Sequence, residues 1–287
     1  MLKGHHTQGE TTLMDLVKSG KLADYDLKNE KSDYQNYSGI ERWLYYQQCS
    51  DGFDSDVCQL AIEVQAKLLE DLYHQGTITL QPGSKLKYEF QLATMTLRGD
   101  TMTSGWTLVK KYQEIILNDS SNPKADKITQ NPELVRFIQL QNTVGNQLLV
   151  PAAGKAGFNT NRAGFGKTDQ TDIMLFAIYN DYTNRDAVTS TDSSIKSVTL
   201  KRLLNNDDAV KIAREWLALF ESWEEFVDRN ALLPFLDAQT GQPKLLWKTH
   251  QFGHLPTTSN EFEELFKSSN RWIYNRGLAI QQRLRNA

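Results

Sequence analysis

The polar side chains most able to do chemistry lie between residues 141 and 169, in "QNTVGNQLLVPAAGKAGFNTNRAGFGKTD". Asparagine amides offer both a donor and an acceptor, and the Arg162 guanidinium is a planar fork suited to a carboxylate or phosphate. Such residues predict a pocket for an anionic ligand. The alternative is that the asparagines and glycines only form turns and bond to the backbone of their own loops. The candidate side chains are Asn142, Thr143, Asn146, Asn159, Asn161 and Arg162.

The end of this cluster, "GFGKT" at residues 164 to 168, resembles the second half of a phosphate-binding loop. A complete loop of that kind needs a glycine five residues before its Gly-Lys-Thr and a buried strand leading into it. Asn161 occupies the glycine position, and the preceding "AAGKAGFNT" is not a strand-like run. The sequence therefore predicts no nucleotide-hydrolysing loop. An anion held by backbone amides where the next helix begins stays open, with Asp169 at that position.

A buried arginine is predicted near the C-terminus. Arg276 lies on the apolar side of a long helical pattern, so its guanidinium needs a carboxylate or several carbonyls. It either forms an internal ion pair with Asp100 or Asp172, or faces the pocket beside Arg162. The apolar stripe of this helix is Phe262, Phe266, Ile273 and Ile280.

Cysteine and histidine patterns give no further site. Cys49 and Cys58 lack the spacing of zinc or redox motifs. His250 and His254 are four residues apart, but "HQFGHLP" contains a Gly and a Pro that disfavour a helix, so we interpret both as loop residues. No metal site and no particular cofactor are predicted.

Hydrophobic periodicity predicts a mainly α fold, a single helical domain with a small β hairpin or short sheet. "TITL" and "KLKYEFQLATMTL" suggest the hairpin, and "QLLVP" a short buried strand. Helices are predicted over residues 54 to 73 (capped by Ser55 and stopped by Gly76), from about 103, from Pro132 to Leu140, after Thr171, over 207 to 228, and from a capping box at Thr258 and Glu261 to the C-terminal arginines.

The predicted domain organisation has two parts. Residues 1–34 form a peripheral N-terminal arm with one short helix around Thr12 to Ser19, because this segment is polar and weakly periodic. Residues 35–287 form the single mainly helical domain, since neither an internal repeat nor a Gly/Ser linker divides them.

Composition limits the classes of partner. The chain has 287 residues, 39% of them hydrophobic, and a net charge of −3, so no global positive field draws it to nucleic acid, although a local basic patch leaves that partner open. No stretch approaches the roughly 18 apolar residues of a membrane span, and the first residues lack an apolar signal core. We expect a cytoplasmic protein without a membrane partner.

Scattered motifs give the chain a resemblance to a bacterial family of unknown function, over about residues 88–287. They are "DTMTSGWTLVKKY", "NTVGNQLLVP", "FNTNR", "DQTDIMLFAI", "WLALFESWEEFVDRNAL" and "IYNRG", in that order. The resemblance implies no established activity. It implies that the signature positions are Asp100, Asn142, Gly145, Asn159, Arg162, Asp169 and Arg276.

"NTVGNQLLVP" followed by "FNTNR" also resembles a segment of HNH-type domains in modification-dependent restriction systems. Those nucleases need a histidine general base and metal ligands, yet no histidine lies between Gln75 and Thr249. An active nuclease is therefore not expected, and a degenerate nucleic-acid-associated relative is the remaining form of this hypothesis.

Two main hypotheses follow. The preferred one is a ligand-binding protein or enzyme of unassigned reaction, with a polar pocket that accepts a small anionic ligand. The other is a non-catalytic interaction protein, in a phage-defence or toxin-like context by analogy only. The predicted ligand-binding residues are Asp100, Asn142, Asn146, Asn159, Arg162, Asp169 and Arg276.

Overall fold

The computed structural model describes residues 11–27, 58–69, 76–81, 85–90, 93–118, 131–151, 170–183 and 194–287. Over these residues the fold is mainly helical with a small antiparallel sheet, which confirms the predicted fold class. The α-helices are α1 Leu13–Ser19, α2 Gln59–Leu68, α3 Gly105–Asn118, α4 Pro132–Leu140, α5 Thr171–Thr183, α6 Leu200–Leu204, α7 Asp207–Leu217, α8 Trp223–Arg229 and α9 Ser259–Asn286. Short 3-10 turns cover Leu22–Asp24, Val144–Asn146, Ile195–Ser197 and Leu233–Phe235.

The sheet has four antiparallel strands in the order β1-β2-β3-β4, which are Gly76–Gln81, Lys85–Phe90, Ala93–Thr101 and Gln147–Pro151. The predicted strand "KLKYEFQLATMTL" is in fact two strands, because β2 pairs with β3 from Phe90 opposite Ala93 onward. Gly76 begins β1, and α2 ends at Leu68. The predicted cap Ser55 lies outside the described residues. β4 is the predicted "QLLVP" strand and pairs with β3 from Leu97 opposite Pro151 to Thr101 opposite Gln147.

The long helix α9 passes through the core. Its first turn has the predicted capping box, in which the Thr258 side chain accepts from the Glu261 amide and the Glu261 side chain accepts from the Thr258 amide. The apolar stripe Phe262, Phe266, Ile273 and Ile280 is fully buried, as predicted. The helix packs against α4, the 144–146 turn and the 22–24 turn, so it connects distant parts of the chain.

The described part of the predicted N-terminal arm is not peripheral. Leu13, Leu16 and Val17 of α1 are buried in the same hydrophobic core as α9. The Leu22 amide donates to Gln281 Oε1 at 3.0 Å, and the Leu27 amide donates to the Asn142 carbonyl at 3.0 Å. The short stretch "LMDLV" already has apolar residues at helical spacing, and the polar residues around it hid that signal.

Residues 207–228 form two helices, not the predicted single one. α7 ends at Leu217, and Ser222 caps α8 by accepting from the Glu225 amide. This Ser-x-x-Glu spacing is a helix-start signal inside an otherwise periodic pattern. The break folds the aromatic residues back on one another, so that Phe220 and Phe226 meet edge to face with ring centroids 5.1 Å apart.

Among the described residues, no helix is both long and apolar enough to cross a membrane.

Candidate functional site

The structure describes four of the seven predicted site residues. Asp100, Asn142, Asn146 and Arg276 are all buried. Asn159, Arg162 and Asp169 lie outside the described residues, so their predicted roles stay predictions.

Arg276 is fully buried, as its place on the helix predicted. Its Nε donates to the Asn230 carbonyl at 3.0 Å. Its Nη1 donates to the carbonyls of Val144, Gly145 and Gln147, at 3.2, 3.0 and 2.6 Å. Removal from water disfavours the charged form, and burial lowers the pKa of Arg276 to about 9. The guanidinium thus joins α9 to the turn that precedes β4.

The predicted ion pair of Arg276 with Asp100 or Asp172 is wrong. In the part of the chain that the structure describes, Arg276 has no carboxylate partner and relies on carbonyl groups alone. The Asp172 carboxylate is bonded elsewhere, to His250 and to the Leu246 amide. The carbonyls of Val144, Gly145, Gln147 and Asn230 lie within hydrogen-bonding distance of the guanidinium and take the place of a carboxylate.

Asn146 is also a structural residue, which corrects its assignment to a ligand pocket. Its Oδ1 accepts from the Thr103 amide at 3.0 Å, and its Nδ2 donates to the carbonyls of Thr103 and Gln141 at 2.9 and 2.8 Å. The side chain is fully buried. Both amide hydrogens are occupied, so this carboxamide holds two loops together and has no donor left for a ligand.

The close approach of the 144–146 turn to α9 explains why position 145 is a glycine. A Cβ at this position would lie 2.1 Å from the Ile273 carbonyl oxygen and 3.1 Å from the Gly277 nitrogen. Only a glycine lets the two backbones meet at this distance. The Asn142 carbonyl accepts from the Leu27 amide, whereas Asp100 lies on β3 opposite Leu148.

A buried histidine–aspartate pair lies at the start of α5. His250 Nδ1 is 2.6 Å from Asp172 Oδ2, and both side chains are fully buried. The His250 ring stacks on Trp247 with centroids 3.5 Å apart and planes inclined by 21°. Sequence reasoning missed this pair, since 78 residues separate its members. A loop histidine beside a tryptophan is not a recognisable signal on its own.

Thr103 connects the two clusters. Besides its bonds to Asn146, its Oγ1 lies 2.6 Å from Thr171 Oγ1 and accepts from the Thr171 amide at 3.3 Å. Asp172 follows directly and leads to His250. We call the bonded path formed by Arg276, residues 144–147, Thr103, residues 170–172 and His250 the polar seam.

Gln170, His250 and Arg276 of the polar seam have buried side-chain atoms without a hydrogen-bond partner among the described residues. Both amide atoms of Gln170 are unpaired, as are His250 Nε2 and Arg276 Nη2. Buried polar groups in folded proteins are nearly always paired, with protein, water or a ligand. The seam is therefore able to offer donors from Arg276 and Gln170 and acceptors from Gln170 and His250.

Metal chemistry has no support in the described residues. No group of three or more histidine, cysteine, aspartate or glutamate side chains is placed there to hold a metal ion. His254, the partner of His250 in sequence spacing, is exposed.

Comparison with protein-family models, curated proteins and solved structures found no match to this chain.

Proposed function

We propose that the protein binds a small anionic ligand in the polar seam. The observation that carries this proposal is Gln170, a fully buried carboxamide with neither its oxygen nor its nitrogen bonded in the described part of the chain. A buried amide without hydrogen-bond partners costs about 1–3 kcal/mol of stability. A ligand that forms hydrogen bonds with this amide would recover that free energy on binding. Gln170 directly precedes α5, where backbone amides also favour negative charge.

The expected negative charge of the ligand follows from Arg276. Its positive charge is fully buried, has no carboxylate partner among the described residues, and keeps Nη2 unpaired. Two N–H groups of Nη2 suit a phosphate or carboxylate oxygen. Nη1 and Nε already donate to carbonyls. We therefore expect the ligand to bind the guanidinium through Nη2 alone, and not through two nitrogens at once.

Titration of inorganic phosphate and of acetate at fixed ionic strength tests the proposal. A ligand that binds only the folded state raises the melting temperature. We expect at least one anion to raise it beyond matched sodium chloride, and Gln170→Met to weaken that binding at least about tenfold, through loss of a hydrogen bond to a charged group. Gln239→Met is the matched control, since Gln239 is exposed.

Two outcomes contradict the proposal. If neither anion acts beyond sodium chloride, the seam does not bind this class of ligand. If Gln170→Met binds as tightly as the unchanged protein, Gln170 is not in the site.

The second candidate function is a non-catalytic interaction protein. The Asn146 side chain favours this candidate. Its amide is hydrogen-bonded within the protein, as expected if the asparagines only hold turns together. Absence of binding by both anions, with normal folding, would favour this candidate over the first.

A further inference from the structure

Helix α9 carries a second unpaired donor one turn before Arg276. The Trp272 side chain is buried, and its indole nitrogen Nε1 has no hydrogen-bond partner in the described part of the chain. An indole N–H is a donor only, so it requires an acceptor. Ser269 Oγ, three residues earlier, is also buried and unpaired there. Residues 269, 272 and 276 are spaced by three and four positions, so they lie on one side of the helix.

Trp272 and Arg276 both face residues 230–235, the segment that follows α8. The Trp272 ring meets the Phe235 ring edge to face, with centroids 5.9 Å apart. Arg276 Nε donates to the Asn230 carbonyl at 3.0 Å. In the planar guanidinium, Nη2 lies on the same edge as the Nε hydrogen, so the unpaired Nη2 is also on the Asn230 side. The two unpaired donors therefore lie on the same side of α9, beside the same segment.

We infer that Trp272 is a further binding residue of the anion site, and that its indole N–H and Arg276 Nη2 donate to two oxygens of one ligand. The inference rests on the proposed function, which supplies the anion. Residues four positions apart on a helix have Cβ atoms about 5–6 Å apart, so both side chains are able to reach one small group. A phosphate or a carboxylate offers at least two acceptor oxygens, whereas chloride is a single centre. The ligand class is therefore an oxyanion.

Trp272→Phe removes the donor and keeps an aromatic ring for the contacts with Phe235 and Lys244. We expect this change to weaken the binding of inorganic phosphate, or of acetate where only acetate binds, at least about tenfold, because a hydrogen bond to a charged group is lost. Trp223→Phe is the matched control. Trp223 is buried as well, but its Nε1 already donates to the Gly241 carbonyl at 3.1 Å, so this change should leave the affinity for the anion unaltered.

NMR of the unchanged protein labelled with nitrogen-15 gives a readout that does not depend on whether the variant folds. The Trp272 indole N–H resonance should move when the anion is added at fixed ionic strength, and it should saturate over the same concentrations as the rise in melting temperature. The Trp223 indole N–H resonance should stay in place, because its hydrogen bond is made within the protein.

The outcomes separate this inference from the proposed function. If an anion binds but the Trp272 resonance stays in place, or if Trp272→Phe binds that anion as tightly as the unchanged protein, Trp272 does not contact the ligand, while anion binding stands. If neither phosphate nor acetate acts beyond matched sodium chloride, the proposed function itself is wrong and the inference falls with it.

Discussion

Asn146 and Gln170 are both carboxamides with 0% exposure, and they lie on the same polar seam, yet the structure uses them in opposite ways. Asn146 makes three hydrogen bonds that join residues 103, 141 and 146. Gln170 makes none with its side chain in the described residues. Burial of polar groups therefore does not by itself indicate a functional site. What separates a structural amide from a candidate binding amide is whether its hydrogen bonds are already made.

The same contrast holds within single residues and pairs. Arg276 uses Nε and Nη1 to hold α9 against the 144–147 turn, while Nη2 stays unpaired. The His250 ring is bonded to Asp172 on one side and has an unpaired Nε2 on the other. Arg276 and His250 thus each stabilise the fold through some of their atoms and leave others for binding.

Arg276→Met should give the largest loss of stability. The change removes the guanidinium from four buried carbonyls, of which Val144 keeps the Gln147 amide and Gln147 keeps Gln65 Nε2 as a donor, and we expect the free energy of unfolding to fall by about 4 kcal/mol. Arg283→Met on the same helix is the control, because Arg283 is part-exposed and its contacts with Asp228 are at the surface. It should cost less than about 1 kcal/mol. Urea unfolding measures both, and equal losses would refute a structural role for Arg276.

Leu16→Ala tests whether the N-terminal segment belongs to the structural core. Leu16 is buried against the same core as α9, so we expect a loss of about 3 kcal/mol. Met14→Ala, on the exposed side of the same helix, should change stability by less than about 0.5 kcal/mol. Thermal unfolding distinguishes them. A Leu16 variant as stable as the Met14 variant would restore the prediction of a peripheral arm.

The smallest effect concerns Glu261, in the first turn of α9. The Thr249 hydroxyl, followed by the Thr257 amide, lowers the pKa of Glu261 from 4.5 to about 2. A lowered folded-state pKa contributes stability above about pH 4.5 that is lost as the pH falls toward 2. Solvent screening keeps the contribution below about 1 kcal/mol.

Glu261→Gln should therefore be less stable than the unchanged protein at pH 6 and approach it near pH 2.5. The exposed Glu263→Gln is the control. Unfolding at several pH values is the measurement, and a difference that does not change with pH would contradict the assignment.

Much of the architecture follows from local patterns in the sequence. The capping box of α9, Pro132 at the start of α4, the β4 strand and the burial of Arg276 were all predicted from residue types and spacing. Local patterns gave the wrong element boundaries where one helix or strand is followed closely by another with a similar hydrophobic pattern. α7 ends at Leu217 and Ser222 begins a new helix, and β2 and β3 are separate antiparallel strands.

The candidate site was less predictable, for a physical reason. The sequence indicated that Asn146 and Arg276 are important, but whether their donors are occupied depends on carbonyls from distant parts of the chain. The Asp172–His250 pair joins residues 78 positions apart, and the sequence around either residue does not indicate that the other is its partner. Tertiary hydrogen bonds decide these roles, and single-sequence patterns do not encode them.

The most direct test of the account compares Gln170→Met with Asn146→Leu in the absence of any added ligand. Each replaces a buried amide by an apolar side chain of similar size. Because Asn146 is fully bonded, its variant should lose about 2 kcal/mol of unfolding free energy, whereas removal of the unpaired Gln170 amide should raise stability by about 1 kcal/mol. If Gln170→Met is instead destabilised as much as Asn146→Leu, Gln170 is a structural amide and the central distinction between the bonded and the unpaired amide of the seam is wrong.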